Sequence, residues 1–198
     1  MDLTANDLEN DLVRLVPLSE EHREPLRETD AVDAMWASMP AIQRGAGFDA
    51  YFDFVLRHGK HDEILGFAVL DPASDKLIGV TAFINHNRMH RRVDIGYTWI
   101  NSAMHGKGMY RAIQSLLITR AVMWGARRIG WNIEARNKGA IRAVEALGAT
   151  REGTLRNYFR YADGTWVNIV LLSMLREEAK TAVKRIDARI AELASNEA

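Results

Sequence analysis

The segment Val93–Trp124 constrains this chain more than any other. Val93-Asp94-Ile95-Gly96-Tyr97-Thr98-Trp99-Ile100 is rich in β-branched and aromatic residues and predicts a strand. Gly96 lies inside it, where a glycine marks a bulge or a close backbone approach to a ligand. Asn101–Gly108 is a loop ending in Gly106-Lys107-Gly108. Met109–Trp124 then sets Ala112, Ile113, Leu116, Leu117 and Ala121 on one helical stripe, with Gly125 as the stop. The first turn of a helix has free backbone N–H groups and a partial positive charge, and two glycines let that backbone approach a phosphate closely. The segment is therefore a ready anion site. Two nucleotide motifs of similar geometry are excluded. A dinucleotide fingerprint needs a third glycine where Arg111 stands, and an ATPase-type phosphate loop needs Ser or Thr where Gly108 follows Lys107.

The flanking sequence extends this unit into a mixed α/β pattern. Leu12–Leu18 alternates as a first strand, and Ser19 is a good N-cap for a helix over Glu20–Arg27. Residues 30–47 carry no clear period. Phe48–Arg57 has Tyr51, Phe52, Val55 and Leu56 at helical spacing. Ile64–Leu70 and Leu77–Ile84 form a hairpin around Asp71-Pro72-Ala73-Ser74-Asp75, with a polar loop, His86–Arg92, after it. Beyond the central helix come a strand at Arg128–Ala135, a helix at Lys138–Leu147 stopped by Gly148, a second hairpin (Thr154–Tyr161 and Trp166–Met174) and a charged C-terminal helix. No linker divides these elements. The 198 residues predict one domain, 1–198, with a core over 12–175 and the helix at 176–194.

Composition narrows the function. The 26 Lys+Arg balance 26 Asp+Glu, which argues against nucleic-acid or anionic-membrane partners. The absence of cysteine excludes thiolate metal sites and a cysteine nucleophile, and fits a reducing cytoplasm. Met1–Val13 is acidic and no apolar run approaches the ~20 residues of a membrane span, so neither a secretory leader nor a membrane partner is expected. The pairs His58/His61 and His86/His90 lie in polar loops without a His-Glu-x-x-His pattern, and no metal is expected.

Ile95-Gly96-Tyr97, then His105-Gly106-Lys107-Gly108 before a long helix, resembles the acetyl-CoA pyrophosphate loop of the GNAT N-acetyltransferase superfamily. A second match follows in order. Asn137, Gly148-Ala149, Arg151-Glu152-Gly153-Thr154-Leu155-Arg156, the Asp163-Gly164 turn and the strand Asn168–Leu175 are similar to the branch that holds the ribosomal-protein N-terminal acetyltransferases. The resemblance covers Leu12–Leu175. It implies an α/β (α+β) fold whose mixed, mostly antiparallel sheet is splayed between the strands at 93–100 and 128–135 and flanked by helices. It implies acetyl-CoA as cosubstrate. Backbone groups of Trp99 and Ile100 would hold the pantetheine arm. His105, Gly106, Lys107, Gly108, Met109 and Tyr110 would form the pyrophosphate loop, and Asn137 would reach the cofactor. The chain departs from the family at Ala103, Ala140, Val144 and Ala149, and Val144 stands where other members carry a tyrosine acid.

Acyl transfer to an amine needs a neutral amine, a donor for the thioester oxygen and a leaving thiolate. An α-amino group titrates near ~8, a lysine near ~10.4 and a thiol near ~8.5, so the leaving group needs little help. Candidate bases are Asp94 and Glu134, with ion pairing as the competing role for each. The backbone N–H of Ile100 is the candidate oxyanion donor. Tyr97, Tyr110 and Tyr158 are candidate acids, or packing. Trp99, Trp131 and Trp166 line an acceptor pocket or the core. Arg88-Met89-His90-Arg91-Arg92 is solvated loop, or a contact for the 3′-phosphate of CoA or for an acidic partner. The C-terminal helix is a lid on the sheet or the contact of a homodimer. The expected function is an acetyl-CoA-dependent N-acetyltransferase acting on a protein N-terminus or a small amine. The alternatives are transfer of a longer acyl chain and a catalytically silent CoA-binding module.

Overall fold

The computed structural model describes residues 3, 8–29, 48–59, 64–161 and 163–196. The aperiodic stretch 30–47 and His61 lie outside the described residues. Eight strands form one sheet: β1 (Leu8–Glu9), β2 (Arg14–Pro17), β3 (Ile64–Leu70), β4 (Leu77–Asn87), β5 (Arg92–Ile100), β6 (Arg128–Glu134), β7 (Thr150–Arg160) and β8 (Trp166–Leu175). Their order is β1-β2-β3-β4-β5-β6-β8-β7, and every pairing is antiparallel except β5 with β6. The described helices are α1 (Arg23–Arg27), α2 (Phe48–Gly59), α3 (Met109–Trp124), α4 (Lys138–Leu147) and α5 (Arg176–Asn196).

Alternation along the strands sends side chains to two apolar layers. Val93, Ile95 and Ile129 join Ile113, Leu117, Val144 and Ile186 under α3–α5. Val80, Ala82 and Ile64 join Leu26, Phe52 and Val55 under α1 and α2. The C-terminal helix packs on α3 and the end of α4 rather than lying as a lid on the sheet. Ala179, Ala182 and Ile186 are buried, Ser115 Oγ donates to Asp187 Oδ1 at 2.5 Å, and Arg185 Nη2 donates to the Leu147 carbonyl at 2.9 Å. That last bond satisfies a carbonyl that the end of α4 leaves open.

Two element boundaries follow strand pairing rather than local sequence signals. β4 continues to Asn87, into the stretch expected to be loop, because Asn87 still pairs with Arg92. β7 begins at Thr150, before the expected Thr154. Thr150 pairs with Ser173, and Glu152 binds both Arg128 and Ser173.

One feature of the sheet positions the site. β5 and β6 pair over only three positions, Arg92↔Arg128, Val93↔Ile129 and Asp94↔Gly130. Beyond these the two strands diverge into a wedge. A bulge on β5 explains the divergence. Tyr97 and Thr98 together oppose Thr81, between the pairs Val80↔Trp99 and Ala82↔Gly96, and Tyr97 takes φ +50°. An extra residue bends a strand and increases its twist. Thr98 Oγ1 and Thr81 Oγ1, 2.8 Å apart, fix the bulge in place.

Candidate active site

The loop leaving β5 is built from short-range hydrogen bonds. Asn101 Oδ1 accepts from the Ala103 N–H at 2.9 Å and starts a single turn over Ser102–Met104. His105 Nε2 lies 3.0 Å from the Ile100 carbonyl, and because a carbonyl only accepts, the ring carries its proton there. This folds the loop back on the strand end. Gly106 (φ +82°) and Gly108 (φ +79°) then take left-handed backbone that side chains disfavour, and α3 begins. The Ala112 N–H bonds to the Gly108 carbonyl, so the amides of Met109, Tyr110 and Arg111 precede the helical ladder and face outward. Across the wedge Asn137 caps α4, its Oδ1 accepting from the Ala140 N–H at 3.0 Å. Its Nδ2 remains as a donor.

Between these two helix starts lies a cavity of about 580 Å³, lined by Thr98, Trp99, Ile100, Met104, His105, Gly106, Gly108, Met109, Tyr110, Arg111, Asn137, Gly139, Ala140 and Ala143. Of the residues expected to meet the cofactor, all but Lys107 line it, and Lys107 is exposed beside it. The Asn101 N–H donates to the Ile78 carbonyl, so strand alternation turns the Ile100 N–H and C=O away from β4 and into the wedge. Lys107, Arg111, Lys138 and Arg142 sit on the loop and on the first turns of α3 and α4. Among the described residues none of them pairs with a carboxylate. Two helix N-termini and the Arg111 guanidinium in the cavity wall, with Lys107 exposed beside it, make this a site for a polyanion. Burial pushes the Tyr110 phenol well above its ordinary range, so it stays protonated.

The opposite face of the wedge is different. Alternation along β6 sends Ile129 and Trp131 toward α3, where Trp131 Nε1 donates to Gln114 Oε1 at 3.0 Å, and sends Gly130, Asn132 and Glu134 to the other side with Asp94. Glu134 Oε2 accepts from the Tyr161 hydroxyl at 2.7 Å, and Glu134 Oε1 accepts from Arg136 Nε. Burial and the Glu134 carboxylate both push the Tyr161 phenol up. Asp94 Oδ2 accepts from Asn85 Nδ2 at 3.0 Å and from Asn132 Nδ2 at 2.9 Å. The Tyr97 ring packs edge-on against Tyr51, centroids 6.1 Å apart, in the layer under α2.

The Acetyltransferase (GNAT) domain family matches residues 13–150. The chain belongs to the GNAT acetyltransferases. It is thus a transferase, and its eight-stranded, mostly antiparallel sheet is the GNAT fold. The N-acetyltransferase p20 of Bacillus licheniformis is 27% identical over 113 residues, 57% of this chain and 62% of that protein, so the match spans under two thirds of the relative's length. A GCN5-related N-acetyltransferase from Brucella melitensis superposes with a TM-score of 0.81 at 22% identity, covering 93% of this chain and 85% of that one. The ribosomal-protein-S5-alanine acetyltransferase of Vibrio fischeri (TM-score 0.69, 19% identity, 87% and 98% covered) has the same fold. So does the spermidine N-acetyltransferase of Vibrio cholerae, solved with CoA and spermine (TM-score 0.70, 20% identity, 86% and 99% covered).

Other sequence candidates in this GNAT acetyltransferase sit elsewhere. The Arg88–Arg92 cluster lies at the β4–β5 turn, the opposite end of a nine-residue strand from Gly106. At ~3.3 Å per residue that separation is about 26 Å, which removes it from the glycine loop. Tyr158 and Trp166 are 51% and 58% exposed on the β7–β8 hairpin, so neither is core. Among the described residues no three His, Cys, Asp or Glu side chains converge as a metal site, and no described helix is long and apolar enough to cross a membrane. Sequence reasoning missed Arg111, Gly139, Ala140 and Ala143 as cavity residues. The signal was there. Arg111 falls in the first turn after the glycine loop, and the three small residues share one face of α4. It also missed Tyr161 on Glu134 and Asn132 on Asp94, which no local spacing announces.

Proposed function

We propose that this GNAT acetyltransferase moves an acetyl group from acetyl-CoA to a primary amine by direct attack of the amine. The observation that carries the reading is the cavity at the open wedge, flanked by the starts of α3 and α4. The residues present fit the cosubstrate. Outward amides at Met109–Arg111 and the cations Lys107 and Arg111 suit its phosphates, and small residues at Gly139, Ala140 and Ala143 leave room for the rest. Backbone of Ile100 on the unpaired edge of β5 would take a pantetheine amide, whereas the Trp99 backbone, one residue away in the alternation, is turned toward β4, and Asn137 Nδ2 would add a donor.

Acetyl-CoA supplies an activated acetyl carbon. The chain's own groups do the rest. The Ile100 N–H donates to the acetyl oxygen as negative charge builds there. Glu134 is the favoured proton acceptor. Tyr161 and Arg136 orient it, and they occupy only part of its lone-pair capacity. The α3–α4 face is given to the phosphates, so the amine enters from the face bearing Glu134 and Trp99. The acceptor is a peptide N-terminus or a small amine. The chain acts as one domain in the cytoplasm, alone or as a homodimer.

Calorimetric titration with acetyl-CoA, with ATP and NAD as controls, tests the cosubstrate. Thiol release from acetyl-CoA tests turnover with two acceptors, a peptide bearing a free N-terminus and a polyamine. The chain has no cysteine, so a thiol-reactive dye sees only product. Binding of acetyl-CoA alone, with a Kd in the micromolar range (about −8 kcal/mol at 1 μM), is the expected result. Failure to bind, or equal binding of ATP, refutes the assignment.

A further inference from the structure

Asp94 stood as a candidate base, but its surroundings give it other work. It is the last residue of β5 that pairs with β6 before the wedge opens. One carboxylate oxygen, Oδ2, receives two amide donors, Asn85 from β4 at 3.0 Å and Asn132 from β6 at 2.9 Å. The other, Oδ1, lies over Gly130, so close that a Cβ on that residue would sit 2.2 Å away. Asn85 reaches the carboxylate from a left-handed backbone position, φ +53°, at an irregularity of β4 between the pairs Ile84↔Asp94 and Asn87↔Arg92. Three strands are thus tied through one side chain at the apex of the wedge. Gly130 is open because the carboxylate fills the space above it.

We infer that Asp94 is a positioning residue that fixes the opening of the wedge and so the seat of the pantetheine arm. The inference rests on the acetyl-CoA reading of the cavity. Neither amide donor can relay a proton away as an acid or base, and both tie the carboxylate to a neighbouring strand. The strands beyond it have no other direct tie, because past Asp94↔Gly130 the described backbones of β5 and β6 do not pair. Removing the tie lets β6 swing relative to β5. That acts on cofactor affinity before it acts on proton transfer.

The test uses Asp94→Asn, which keeps the volume and one acceptor oxygen but gives the two donors a neutral and weaker acceptor, and Asn132→Ser, which shortens one donor out of reach without touching the carboxylate. Acetyl-CoA affinity is read by calorimetry, kcat and KM by thiol release, and folding by circular dichroism. Each variant is expected to raise both the acetyl-CoA Kd and its KM by fivefold or more. The limbs of the pH–rate profile should stay in place. The double variant should be no more than twofold worse than the worse single one, because both weaken the same tie. A base would behave differently: Asp94→Asn would lower kcat at least a hundredfold with Kd unchanged and erase the acidic limb, and that result overturns the inference. Unaltered affinity in a folded Asn132→Ser overturns it too, even if Asp94→Asn fails to fold. Absence of acetyl-CoA binding by the unsubstituted protein overturns the underlying reading and the inference with it. Unchanged variants of a protein that does bind overturn the inference alone.

Discussion

Gly108→Val tests the glycine loop at its most exacting point. Gly108 caps α3 at φ +79°, ψ −8°, a left-handed conformation that costs an ordinary L-residue about 1–2 kcal/mol and a β-branched one more. The chain has two responses. If the backbone holds, the strain is borne by stability, and at about 2–4 °C per kcal/mol for a chain this size Tm falls by roughly 2–8 °C. If it relaxes to negative φ, the amides of Met109, Tyr110 and Arg111 turn away from the cavity. Each charge-assisted bond to a phosphate is worth about 1.5–3 kcal/mol, so losing two weakens binding by about 3–6 kcal/mol, or roughly a hundredfold to ten-thousandfold. Gly108 lines the cavity, so a valine there takes up space in it even where the backbone holds. The expected result is an acetyl-CoA Kd at least a hundredfold higher, measured by calorimetry on a protein that still melts cooperatively. Gly125→Val is the matched control. Gly125 caps the other end of the same helix at φ +104°, and a Cβ there meets nothing within 4 Å. It carries comparable strain far from the cavity, so Tm should fall with Kd unchanged. A Gly108→Val protein that binds within threefold of the original, or a Gly125→Val protein that loses affinity equally, refutes the reasoning.

Two further predictions concern what holds the frame. Arg128, paired fork to fork with Glu152, and the Ser173 hydroxyl hold the Glu152 carboxyl down to about 2. A folded pKa below the unfolded ~4.3 stabilises above that value and is lost as pH falls toward 2. Both side chains are more than a third exposed, so after solvent screening the contribution is about 1 kcal/mol. Glu152→Gln should cost about that in urea unfolding at pH 7 and no more than half as much near pH 3; a cost independent of pH contradicts the account. Arg185→Met keeps the alkyl packing but frees the Leu147 carbonyl at the end of α4. It should lower Tm by about 2–4 °C, and an unchanged Tm would show that α5 does not cap α4.

What the sequence disclosed, and what it concealed, follows from the range of the interactions involved. α3 begins after its glycine turn, and α3 and α4 both end at the glycines expected to stop them, because a cap is a contract among residues three or four apart. The glycine loop was legible for the same reason: its glycines, His105 and the strand end Ile100 lie within nine residues of one another. The wedge was legible only through resemblance. Gly96 hinted at an irregularity, but the bulge itself centres on Tyr97, which no local rule places at positive φ. The opposite face was harder still. Glu134 meets Tyr161 from 27 positions away, and Asp94 meets Asn132 from 38. Such pairs leave no periodic trace, because each residue alone looks like an ordinary strand polar group. A carboxylate in a strand is therefore a weak sign of a base until its donors are known. Asp94 and Glu134 looked alike in the sequence. One is held by two amides at the apex of the wedge. The other is shared by a phenol and a guanidinium at the end of β6, beside the Asn137 cap of α4. That difference in donors, and not the residue type, separates the positioning role inferred for Asp94 from the proton-accepting role proposed for Glu134.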